Sequence, residues 1–235
     1  MKDQFMKWWL PILIMVILAP FTPWLDKGIE NYFYNKDVGF VSNEFIAFVY
    51  NYLILPADIV FAFALVLYLL SFFKKNWKTW RKPSLALILA FAIGAGFVAH
   101  ALLKDHWGRP RPKQVIEYGG TQEFRPFYKP NFFHQPYPSK SFPCGHCLSG
   151  FYFFSLAFAG QRLGKKWLFW SGIFLAVSLG GILSYTRMAQ GGHFLSDTLF
   201  SALIMWYSAL ICDWFLWPEK EGERGQTWNH GSLKD

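Results

Sequence analysis

Charge is what this chain of 235 residues has least of. Only 16% of its residues are Asp, Glu, Lys or Arg, against about 25% in a soluble domain. That is too little to cover a surface facing water. Hydrophobic residues at 53% and aromatics at 21% exclude a disordered chain. Histidine occurs six times, but no pair has the spacing of a His-Glu-x-x-His or similar ligand set, so no metal is expected. Internal repeats and low-complexity linkers are absent. The net charge of +8 has no Lys/Arg-rich run on a segment large enough to fold alone in water. It therefore points to a membrane orientation signal and excludes a nucleic-acid partner.

What the chain has in abundance is apolar runs. Six approach membrane length: residues 8–25, 45–73, 84–103, 147–161, 167–185 and 198–217. About 20 residues span a bilayer as a helix, and backbone amides in lipid must bond internally. The expectation is an all-α integral membrane six-helix bundle over residues 1–217, a single transmembrane domain, with a polar tail at 218–235. The first run resembles a signal peptide, but Pro11, Pro20 and Pro23 and the lack of a small-x-small site favour a retained helix. The second run holds Pro56 and Asp58, which predicts a kink. The fourth run is short and extends back toward Gly145.

Six spans put both termini on one side, together with the loops after spans two and four. Those loops carry Lys74, Lys75, Lys78, Arg81 and Lys82, and Arg162, Lys165 and Lys166. Short basic loops stay in the cytoplasm. Loops one, three and five then face away from the cytoplasm. Loop three, residues 104–146, mixes Phe and Tyr with Pro and Lys/Arg, among them Tyr118, Phe127, Phe133, Tyr137 and Phe142. This composition is expected to lie in the headgroup layer.

Three polar segments fall on that same face by topology alone. They are residues 104–112 (Lys-Asp-His-Trp-Gly-Arg-Pro-Arg-Pro), residues 141–146 (Ser-Phe-Pro-Cys-Gly-His) and residues 186–197, which hold Arg187, His193 and Asp197. A lone membrane-edge cation usually snorkels to the headgroups. Lys104, Arg111 and Arg187 converging against the positive-inside tendency instead suggest an anion site. Arginine offers a planar fork for phosphate oxygens and lysine a point charge. Gly145 and His146 at a helix start add backbone N–H groups. His193 and Asp197, four apart, share a helix face, so the carboxylate is expected to accept one ring N–H and leave the other nitrogen free. Helix capping is the plain structural alternative for that pair. With His146 as a second titratable ring, phosphoryl transfer is the chemistry these residues fit.

The pattern Lys104-x6-Arg111-Pro112, Pro143-x-Gly145-His146 and Arg187-x5-His193-x3-Asp197 resembles the type 2 phosphatidic acid phosphatase superfamily. The resemblance implies that His193 attacks phosphorus to give a phosphohistidine and that Asp197 supports it. It implies that His146 protonates the leaving alcohol and then activates water. Lys104, Arg111, Arg187 and the Gly145 amide would bind the phosphate. Neither a cofactor nor a metal is implied. The family usually has Ser at the positions of Cys144 and Thr186. Thr keeps the hydroxyl, whereas Cys is a poorer donor, which puts a Cys144 contact to phosphate in question. The flavour of the motifs is similar to the lipid A 4′-phosphatase branch. That implies a lipid phosphate partner in the bacterial inner membrane, with the site facing the periplasm and no obligate protein partner. Undecaprenyl pyrophosphate, phosphatidylglycerophosphate and phosphatidic acid are the alternative substrates.

Rival readings stay open at this level. Cys144-Gly145-His146-Cys147 matches a Cys-x-x-Cys redox sequence but lacks the βαβ context that such a motif needs. A disulfide within it fits an oxidising compartment. Asp58 and the outer cations suit an anion channel or transporter, although few polar positions line the later spans, and Asp58 is expected to pair within the bundle. A second lipid in place of water as acceptor would make a phosphotransferase.

Overall fold

The computed structural model describes residues 2–133, 135 and 139–218, with side chains from residue 6 onward. His134, Tyr137, His230 and the polar tail from residue 219 lie outside these residues. The chain folds as nine α-helices among the described residues: α1 (Lys2–Leu18), α2 (Thr22–Phe33), α3 (Glu44–Tyr52), α4 (Leu55–Phe73), α5 (Arg81–Phe91), α6 (Gly145–Phe151), α7 (Phe153–Arg162), α8 (Lys166–Ala189) and α9 (Leu195–Leu216). The all-α membrane reading holds. Five helical stretches are long and apolar enough to cross a bilayer: Met6–Phe33, Glu44–Phe73, Lys75–Lys104, Lys166–Ala189 and Leu195–Leu216. The short α6 and α7, stacked end to end with a break at Tyr152, occupy the place of the remaining span.

Local chemistry explains the breaks. Pro20 sits in the short 3-10 turn Ala19–Phe21 that joins α1 to α2. The first crossing thus continues to Phe33, past the Leu25 end of the apolar run. The kink expected in the second run falls at Leu53–Ile54, just ahead of Pro56. Past Phe91 the third crossing widens into a π-helical stretch, Ala92–Lys104. A two-residue hairpin, β1 (Tyr34–Asn35) against β2 (Gly39–Phe40), joins the first two crossings, with Tyr34 opposite Phe40.

Two ends can be told apart by their contacts. At one end Lys7 Nζ donates to Gln161 at 2.9 Å, Arg162 grips Asp213 at 2.7 and 2.8 Å, and Lys165 lies 4.6 Å over the Trp80 ring. This gathers the basic loops after α4 and α7 with the N-terminus, as the topology count requires. At the other end loops one, three and five meet. Val41 N donates to Ala189 O at 3.0 Å, and Lys113 N donates to Gly191 O at 3.1 Å.

Loop three departs from its expected place in the headgroup layer. Phe142 is fully buried and packs with Phe127, Trp107 and Phe200, while Tyr118 and Phe124 pack around Phe194 and Tyr34. Only its outer rings, such as Phe133 at 88% exposure, are left for an interface. Composition alone does not separate an aromatic that anchors in headgroups from one that closes a protein core. Asp58 also departs from expectation. It lies exposed in the first turn of α4 rather than paired inside the bundle.

Close backbone approach fixes the centre, because helices in lipid associate by packing of small residues. A Cβ added to Gly150 on α6 would lie 2.5 Å from Gly180 Cα on α8. A Cβ on Gly172 would lie 2.4 Å from Ala157 N on α7. Gly150→Val is therefore expected to lower stability by about 1–3 kcal/mol through overpacking. Gly181→Ala, with nothing within 4 Å, should be neutral or slightly stabilising. Thermal unfolding of the detergent-solubilised variants checks both.

Candidate active site

The site is built around a buried arginine. Gly108 adopts a positive φ of +69°, and a Cβ there would meet Asn131 O at 2.2 Å, so the turn before Arg109 accepts only glycine. That turn sends the Arg109 side chain inward, where it is 1% exposed. Nε donates to Arg125 O at 2.8 Å, Nη2 to Asp26 at 2.8 Å, and Nη1 to Ser196 Oγ at 2.8 Å and to Asp197 Oδ1. The ring of Phe194 stacks 4.4 Å from the guanidinium carbon. A buried charge is tolerated when its nitrogens are hydrogen-bonded and counter-charges are at hand, and here both hold.

Asp197 stands in the first turn of α9 and is fully buried. Besides Arg109 it accepts from Ser141 Oγ at 2.6 Å and from Phe194 N at 2.9 Å. Its relation to His193 differs from the expected direct hydrogen bond. Asp197 Oδ2 lies 3.8 Å from His193 Nδ1, within reach of charge but too far to bond. Nδ1 instead meets the backbone carbonyl of Ser141. A carbonyl only accepts, so the proton belongs on Nδ1 and the lone pair on Nε2. Ser141 thus serves both partners, its hydroxyl holding Asp197 and its carbonyl holding His193. Burial pushes His193 down from its ordinary 6.5 to about 3, with Arg187 and Lys104 pushing the same way and Asp197 opposing. The ring is neutral throughout the physiological range.

The three expected cations come together beside it. Lys104 ends the π-helical stretch, and a Cβ on Gly145 would lie 3.0 Å from its Nζ, so glycine leaves the ammonium room. Arg187, in the last turn of α8, donates through Nη1 to Gln190. A Cβ on Gly192 would clash with its Nη2 at 2.4 Å. Arg111 and Arg187 line a polar pocket of about 340 Å3 with Lys113, Asn43 and Tyr50. His146 stacks on Tyr50 at 4.3 Å between ring centroids, and Arg187 lies 4.8 Å from the same ring. Lys104, Arg111 and Arg187 are the charges acting on His146. Thr186 Oγ1 and Arg187 Nε are buried without a hydrogen-bond partner among the described residues.

Cys144 does not join this set. It is fully buried and linked to Cys147 by a disulfide, its amide donates to Ser201 Oγ at 3.0 Å, and its sulfur accepts from Cys147 N at 3.3 Å. No donor remains for phosphate. Its place is in the turn that opens α6, supporting Gly145 and His146. Sequence reasoning also missed several residues. Arg109 stands inside the first motif but has no expected role there. Asp26 and Glu30 lie just past the end of the first apolar run, and their four-residue spacing on a largely apolar helix was the signal available. Tyr50 had none. Among the described residues no cluster of three or more His, Cys, Asp or Glu could hold a metal ion.

Known proteins are similar to much of this chain. A family model described as the PAP2 superfamily matches residues 85–221. A protein named lipid A 4′-phosphatase from Francisella tularensis subsp. novicida (strain U112) is 32% identical over 204 residues, covering 85% of this chain and 89% of the relative. Proteins of the same name from Rhizobium etli and Rhizobium leguminosarum are each 29% identical, over 133 and 130 residues. These matches cover 52% and 51% of this chain, and 44% and 47% of the relatives. No solved structure matches.

The lowered pKa of His193 makes the stability of the fold depend on pH. Between 6.5 and about 3 the unfolded chain binds a proton at His193 that the folded chain refuses. The contribution of this residue to stability is thus complete above 6.5 and lost as pH falls toward 3. The thermal midpoint of the native protein should fall below pH 6.5, and His193→Gln should flatten that fall. A pH series of melting curves for the two proteins measures it.

Proposed function

The chain belongs to the PAP2 superfamily, and from that membership we propose that it removes a phosphate from lipid A by way of a phosphohistidine. At the coarser level it is a bacterial membrane phosphatase, a phosphoric monoester hydrolase acting on a lipid phosphate. The observation that carries the finer reading is the buried His193, its Nδ1–H donating to the Ser141 carbonyl, with Lys104 and Arg187 close enough to act on the ring.

In this reading the lipid phosphate enters the polar pocket from the membrane. Lys104, Arg111, Arg187 and the Gly145 amide hold its oxygens and the charge that grows on them in the transition state. Nε2 of His193 attacks phosphorus as the P–O bond to the lipid breaks. His146, which burial and the cations around it keep neutral until the bound phosphate offsets them, then carries a proton and gives it to the leaving alkoxide. The phosphorylated ring becomes cationic, and Asp197 at 3.8 Å offsets that charge without bonding to it. His146, now neutral, takes a proton from water as the water attacks phosphorus. Inorganic phosphate leaves and His193 is restored. No metal takes part. The separation of the basic loops from the site supports an active site at the periplasmic face of the inner membrane. Lipid A is favoured over other lipid phosphates by the relative that matches most of the chain.

Purified protein in detergent is expected to release inorganic phosphate from lipid A, with EDTA having no effect. His193→Ala should lower the rate by about a thousandfold or more. Lipid A from expressing cells should lose the mass of one phosphate. Unchanged lipid A, with phosphate released instead from phosphatidic acid, phosphatidylglycerophosphate or undecaprenyl pyrophosphate, would refute the substrate. Activity lost in chelator and restored by a divalent ion would refute the mechanism.

A further inference from the structure

The residues that the family model matches begin at 85, yet one of the two carboxylates bonded to the Arg109 anchor comes from α2, far upstream. Asp26 is 0% exposed. Its Oδ1 accepts from Ser196 N at 2.8 Å, and its Oδ2 accepts from Ser196 Oγ at 2.7 Å and from Arg109 Nη2 at 2.8 Å. Ser196 precedes Asp197 directly. Asp26 therefore does two things at once. It caps the first turn of α9 from a separate helix, binding an amide that this turn leaves without an intrahelical partner. It also takes half of the Arg109 guanidinium, whose other half holds Asp197.

We propose that Asp26 is a positioning residue for the phosphatase reaction, acting through Arg109 and Ser196 to fix Asp197 beside His193. This inference rests on the reading of His193 and Asp197 given above. Without the Asp26 carboxylate, Arg109 is balanced by Asp197 alone. The guanidinium then draws that carboxylate toward itself and away from Nδ1, and the start of α9 loses a cap. None of the cations read as holding phosphate, Lys104, Arg111 and Arg187, bonds Asp26, so substrate binding is left intact. The cost falls on the transition state, where charge develops on His193. The same contacts give the N-terminal crossing a reason to be part of the enzyme. Its outer end supplies a group to the catalytic layer, while its inner end is tied to α9 by Trp206 Nε1 donating to Lys7 O at 3.0 Å.

The test is steady-state phosphate release from detergent-dispersed lipid phosphate by Asp26→Asn, Asp26→Glu and Ser196→Ala. Wild type and His193→Ala serve as controls, and thermal unfolding reports on folding. Asp26→Asn is nearly isosteric and keeps the acceptor for Ser196 N. It is expected to lower kcat about tenfold or more, the size seen when a hydrogen-bonded partner behind a ligating side chain is removed. KM should stay within about twofold, since uniform binding is untouched. Asp26→Glu, which restores the charge, should recover part of kcat. A folded Asp26→Asn with wild-type kcat overturns the inference, and so does a change confined to KM. If Asp26→Asn does not fold, Ser196→Ala decides, because it removes the bridging hydroxyl and leaves both charges. A folded Ser196→Ala with lowered kcat supports the inference, and unchanged kcat overturns it. An inactive wild type or an active His193→Ala would instead sink the reading of the site, and this inference with it.

Discussion

One guanidinium, that of Arg109, organises the outer half of this protein. It stands where loop three, α2 and α9 meet, and it is bonded to all three. A cation that deep needs its counter-ions in place before it can be buried, because an unpaired charge in a low-dielectric interior costs several kcal/mol. The loop is thus held over the helices by the two carboxylates, Asp26 and Asp197, that meet the guanidinium. The condition couples fold to chemistry, since the carboxylate that neutralises Arg109 is the one that stands near His193.

The cations of the phosphate pocket obey the opposite logic. Every nitrogen of Arg109 is hydrogen-bonded within the protein, whereas Arg187 keeps a buried Nε without a partner among the described residues. Two arginines in one layer thus divide the work. The first is neutralised by carboxylates and holds the frame. The second is left hungry for an anion. Gly145 and Gly192 are as much a part of this as the charges, because each keeps open the space that Lys104 or Arg187 fills.

Much of this was legible in the sequence, and the reasons are physical. Apolar runs of membrane length admit one kind of backbone, and Lys/Arg-rich loops fix which ends lie together, so the crossings and the meeting of the three motifs follow from composition and order. The lengths of the crossings were less legible. Tyr152 breaks the fourth helix with no Pro or Gly at its position, and the first helix runs on through Asp26 and Glu30, which a hydropathy reading treats as its end. Side-chain partners were the least legible. Asp58 looked like a charge paired inside the bundle because it lies in an apolar run, yet it faces outward from the first turn of α4, beside the break between α3 and α4. The true buried acids lie where the sequence turns polar. Cys144 stands in a motif position but spends its sulfur on Cys147 and its amide on Ser201. Pairings between residues distant in sequence, such as Asp26 with Ser196, are set by tertiary contact, and a single sequence holds no record of them.

The partner chosen by Nδ1 of His193 has a consequence for how such a site can change over time. A side-chain acceptor can be lost by one substitution, and the imidazole would then be free to move its proton. Here the acceptor is main chain, and every amino acid at position 141 carries the same carbonyl. The tautomer is written into the path of the backbone rather than into any residue's identity. Drift at position 141 can loosen the carboxylate through the hydroxyl, but it cannot by itself turn the ring around.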